Sequence, residues 1–182
     1  MGFIVSILIY CNMIIEPVYE PPPPLKINSP HVVEMFAIGT PQQKAEWIIK
    51  PTIRVCASAE VPFFRVQRAM RYWEKNGYIF DGVIPDSSPA CAEPRFGEII
   101  VTLPESGFSD THLASTRLYV SNKTGEILKA KIHILPKHAR KERVLEHEMG
   151  HALGWSHYRQ RYHIMHPTWA GGGYDSYGIR KR

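Results

Sequence analysis

Eleven residues, His147 to His157, read HEMGHALGWSH and concentrate the groups able to do chemistry. His147 and His151 are four positions apart, so on an α-helix they share one face and can grip one metal ion together. Glu148 stands beside the first of them, where its carboxylate reaches a metal-bound water rather than the metal. Gly154 supplies the permissive backbone that ends a helix and turns the chain sharply. After that turn, His157 can swing back as a third nitrogen ligand. Three neutral imidazoles and one open position make the layout of a catalytic zinc site rather than a closed structural one.

At this spacing the chain resembles the metzincin clan of zinc metallopeptidases, whose motif HExxHxxGxxH it matches at every fixed position. The clan's second mark, a methionine turn, has its counterpart in Met165 of HIMHP, residues 163–167. The resemblance implies one catalytic Zn2+ held by His147, His151 and His157, with Met165 as an apolar floor under the three rings. It also implies hydrolysis of peptide bonds, with Glu148 taking a proton from the attacking water and passing it to the leaving amine. Pro167, Thr168 and Trp169 would wall the cleft, although Trp169 reads equally well as a core aromatic. The implied fold is α+β: a twisted mixed sheet with an antiparallel edge strand, two main helices including the zinc helix, and a small C-terminal subdomain after the methionine turn. Its edge strand would be Arg117–Ser121, with Arg117, Leu118, Tyr119 and Val120 bordering the cleft and binding an extended polypeptide by strand addition.

Within the clan the chain looks most like a minimal matrixin-type domain, with three departures. Tyr158 follows the third histidine where matrixins usually have Ser. Pro167 stands where astacins place a further tyrosine ligand. The segment after Met165 is shorter than in family members and includes Gly171–Gly173, so the apolar N-terminal segment is a candidate to pack there.

The elements that must position these groups can be read from periodicity. Thr52–Ala57 is a first strand, with Pro51 just before it. From Pro62 a helical stripe puts Val66, Ala69, Met70 and Trp73 on one core-facing side and closes at Gly77. Phe80–Glu93, rich in Pro, Asp and Ser, reads as loop, and Gly97–Leu103 as a buried strand. Arg117–Ser121 and Glu126–Leu135 form a hairpin around Asn122–Gly125. In its second strand Leu128, Ala130, Ile132 and Ile134 mark a core face, while Lys129, Lys131 and His133 mark a polar one. His133 therefore reads as a surface histidine. Pro136 ends the strand, and the zinc helix begins from Lys141.

With 182 residues, 44% of them hydrophobic, the chain can bury one core. Residues 31–182 read as a single catalytic domain, preceded at 1–30 by an apolar segment and the stiff spacer Pro21–Pro24. Two readings stand for Phe3–Ile15, which is short of the roughly 20 residues of a membrane span. It is a secretion signal or anchor, or a segment packed on the domain or on a partner. The net charge of +5 includes the run Lys137–Arg143, which reads as a solvated face. No aromatic-and-basic interleaving accompanies it, so no nucleic-acid partner is expected.

Of the three cysteines, Cys56 and Cys91 can form a bridge or remain free thiols, according to compartment. Cys11 lacks the flanking residues by which latent matrixins block zinc. An extracellular, surface- or assembly-associated setting is favoured over a cytoplasmic one. The main reading is a zinc endopeptidase, and the alternative is a non-catalytic binding or structural component of a larger assembly. Glu148 separates them, because a binding module has no need of it.

Overall fold

The computed structural model describes residues 39–88, 91–104 and 112–179. Phe3–Ile15, Cys11 and Pro21–Pro24 lie outside these residues. Five strands form one sheet: β1 Thr52–Cys56, β2 Gly82–Asp86, β3 Glu98–Thr102, β4 Ala114–Val120 and β5 Ile127–Ile134. Their order is β2-β1-β3-β5-β4, with β4 antiparallel to β5 and the other neighbours parallel. Helix α1 (Phe63–Lys75), the single turn α2 (Pro136–Ala139) and α3 (Val144–Ala152) complete the α+β fold. No helix among the described residues is long and apolar enough to cross a membrane.

Alternation along the strands sends Ile53, Val55, Ile99, Val101, Ala130, Ile132 and Ile134 to one face. There they pack with Val66, Ala69 and Trp73 of α1 and with Leu145 and Met149 of α3 in one core cluster. Met70, at the margin of the α1 stripe, is only partly buried.

The structure corrects three expectations about the elements. Phe80–Glu93 is not all loop, because Gly82–Asp86 pairs with β1 as the opposite edge of the sheet. Pro85 disguised it in sequence, yet an edge strand tolerates a residue without an N–H. The helix carrying the histidines begins at Val144, not Lys141, because Arg143 adopts a left-handed conformation with φ 69°. The polar face of β5 is also not solvent-exposed: Lys131 is 3% and His133 6% accessible. The chain after β2 folds over that face, where Lys131 Nζ meets Glu93 at 2.8 Å.

Arg54 reaches Asp86 and Glu98 on the same side, at 2.7 Å each, and donates to the Glu93 carbonyl. The Cys56–Cys91 disulfide ties this cover to β1. At the start of β5, a register shift at Tyr119/Val120 makes Ile127 the fully buried residue and leaves Leu128 half-buried.

Residues 42–47 lie across the C-terminal end of α3. The Gln43 amide donates to the Leu153 carbonyl at 2.9 Å, the Trp47 indole to Ala152 at 2.8 Å, and the Lys44 N–H to Gly154 at 2.8 Å. Carbonyls that a helix end leaves without partners are thereby satisfied. Gly154, at φ 92°, is required here on two counts, because a Cβ would run into the Ala45 carbonyl.

Candidate metal centre

The hydrogen bonds around α3 orient its two histidines. His147 Nδ1 donates to the Ile164 carbonyl and His151 Nδ1 to the Trp155 carbonyl, each at 2.7 Å. With both Nδ1 protons so placed, the Nε2 atoms of the neutral rings carry lone pairs. Those atoms face one another: His151 Nε2 lies 3.0 Å from His147 Nε2 and 3.2 Å from His157 Nε2. Lone pairs brought this close repel unless a cation lies between them. A tetrahedral zinc at 2.0–2.1 Å from each nitrogen sets them about 3.3 Å apart, so the three residues fit that ion. They form a three-histidine cluster able to hold a metal.

Burial lowers the affinity of all three rings for protons, taking His147 down to about 4 and His151 well below its ordinary value. Each ring thereby stays in the neutral form that ligates.

Met165, expected under the three rings, is fully buried. Gly150, on the side of α3 facing α1, has no Cβ, and the Met165 sulfur and the Trp73 ring occupy that space. The methionine turn is shaped by His163, whose Nδ1 accepts the Met165 N–H while Nε2 donates to the Tyr177 carbonyl, both at 3.1 Å. The Tyr158 N–H donates to the Met165 carbonyl at 2.8 Å, which sets the chain just after His157 against the turn.

Glu148 is 1% exposed and receives a hydrogen bond from Thr116 Oγ1 at 2.6 Å. Burial pushes its carboxyl up to about 7, against the opposing effect of the Thr116 hydroxyl. A cation at the three nitrogens would draw it back down. Thr116 went unrecognised in the sequence because only the packing of edge strand β4 against α3 brings it there. The same holds for the pair behind the helix, where Arg65 meets Glu146 Oε2 at 3.3 Å in a fully buried setting. The Trp73 indole donates to the Glu146 carbonyl there at 2.7 Å.

The remaining expected site residues divide by location. On β4, Leu118 turns with Thr116 toward the helix side and is buried in the core, and Val120 packs partly against that core. Arg117 and Tyr119 occupy the alternate positions, with Lys129 Nζ 4.7 Å from the centre of the Tyr119 ring. Trp169, 44% exposed, is no core aromatic: it lines a small pocket together with His147 and Glu148. Leu113, Val144 and Ile164 form the apolar part of that pocket, and Arg143 and Thr168 also border it. Pro167, half-buried, lies between two lining residues, His166 and Thr168. No protein-family model matches the chain, and no curated protein matches it significantly.

Proposed function

We propose that the chain is a zinc-dependent endopeptidase of metzincin type, acting on extended polypeptide. One observation carries the reading: three converging Nε2 atoms stand beside a buried carboxylate that is not part of the ligand cluster. His147, His151 and His157 would hold the zinc, which supplies a Lewis acid that polarises the scissile carbonyl and acidifies water. Glu148 accepts the proton of the attacking water and returns it to the leaving amine. The Thr116 hydroxyl, bonded to that carboxylate, would hold it in place for this transfer. β4 is the last strand of the sheet order, beside α3, and a substrate strand would align along it. The substrate is thus polypeptide, with no nucleic acid involved. The Cys56–Cys91 bridge supports an oxidising, extracellular or surface setting.

The test compares wild type with Glu148→Ala on a mixed peptide library, with bound zinc measured in both. The variant should retain its metal and lose at least about 100-fold in turnover. Equal cleavage by the two proteins would remove Glu148 from the mechanism. A zinc-loaded, folded wild type that cuts nothing would favour a binding role for the domain.

A further inference from the structure

The small pocket beside His147 and Glu148 contains a cation that its apolar walls do not explain. Arg143 sits just before α3 in a left-handed conformation, φ 69°, which non-glycine residues seldom adopt. Its guanidinium lies 5.0 Å from the Trp169 ring centre, and the indole N–H donates to the Glu142 carbonyl at 3.1 Å. Gly172 leaves room on the other side, since a Cβ there would come within 3.2 Å of an Arg143 terminal nitrogen. A guanidinium covered on its face by an aromatic ring keeps its in-plane N–H donors free for a carboxylate.

Among the described residues no carboxylate pairs with Arg143: the neighbouring Glu142 faces Arg68 at 3.8 Å, and Glu146 is taken by Arg65 and Arg68. Lys141 Nζ, 5.7 Å from the Trp169 ring centre, adds a second positive charge at the same rim. The basic run that reads in sequence as a solvated surface therefore contributes part of its charge to the wall of a pocket.

Resting on the peptidase reading, we infer that this pocket selects a glutamate side chain of the substrate next to the cleaved bond. Its two methylenes lie along Leu113 and the Trp169 edge at the pocket mouth, and its carboxylate meets the Arg143 guanidinium. An aliphatic side chain would leave that guanidinium without a partner, and a basic one would be repelled by it.

The test uses otherwise identical peptides carrying Glu, Gln, Leu or Lys next to the cleaved bond, with wild type, Arg143→Gln and Arg143→Glu. Wild type should prefer Glu over Gln by about tenfold or more in kcat/KM, as expected for hydrogen bonds to a charged group. Arg143→Gln should bring that ratio near one, and Arg143→Glu should move the preference to Lys. Because each ratio is internal to one protein, partial loss of folded enzyme leaves it unchanged. Cleavage by wild type that favours Leu or is indifferent to Glu overturns this inference alone. Absence of cleavage at every peptide overturns the peptidase reading, and this inference falls with it.

Discussion

The two faces of the sheet are held by different physics. On the helix side, Ile53, Ile99, Ile132 and Ile134 are fully buried against α1 and α3, and the three-histidine cluster is carried by this packing. On the other side, Arg54 and Lys131 are buried charges, each matched to carboxylates, and a disulfide keeps their cover in place. Apolar packing is insensitive to pH and redox state, whereas ion pairs and a disulfide respond to both. The helix side also carries the buried Arg65–Glu146 pair, so the contrast is one of degree: apolar packing dominates around the site, and ion pairs with a disulfide dominate opposite it.

Substitutions can break or sharpen that contrast. The largest effect belongs to His151→Ala, which should reduce zinc affinity by more than the roughly 100-fold that a residue merely supporting a ligand costs. Metal titration of wild type and variant measures it, and near-equal affinity would remove His151 from the ligand set. Next, Cys56→Ser with Cys91→Ser should lower unfolding free energy by about 2–4 kcal/mol while leaving zinc affinity intact. Denaturant melts with parallel metal analysis decide this, and loss of zinc in the folded variant would show that the two faces are coupled.

Thr116→Val should cost about tenfold in kcat with little change in bound metal, because it removes one hydrogen bond to a charged group. Thr116→Ser should recover most of that loss. A valine variant as fast as wild type would reduce Thr116 to packing.

The smallest effect concerns acid. The Asp86 carboxyl is held down to about 2, first by the Ser88 backbone N–H and then by the Arg54 guanidinium. Its folded value lies below the ordinary 3.8, so the stability it contributes is present above that value and lost as pH falls from about 4 toward 2. Asp86→Asn should therefore flatten the pH dependence of unfolding in that window alone. An unchanged acid limb would assign the loss to other carboxylates.

Readability from sequence differed between elements for a definable reason. β1, α1, β3 and β5 announced themselves, because burial on one face imposes period 2 or 3.6 on the sequence, whereas β4 begins at Ala114 rather than Arg117, so the stretch holding Thr116 was missed. β2 did not, since an edge strand with Pro85 lacks that pattern. Lys131 and His133 misled because alternation shows which residues share a face but not what covers it.

For the three-histidine cluster, local sequence was nearly sufficient. His147 and His151 are one helical turn apart, and Gly154 at φ 92° reverses the chain toward His157, so the residues and their spacing determined the candidate ligands. Tertiary structure decided everything contributed from a distance: Thr116 against Glu148, Met165 and Trp73 in the space at Gly150, and residues 42–47 across the helix end. It also decided that Arg143 looks onto Trp169 beside the site rather than into solvent. Such contacts join positions far apart in the chain, and the long-range packing that unites them leaves no local period in the sequence.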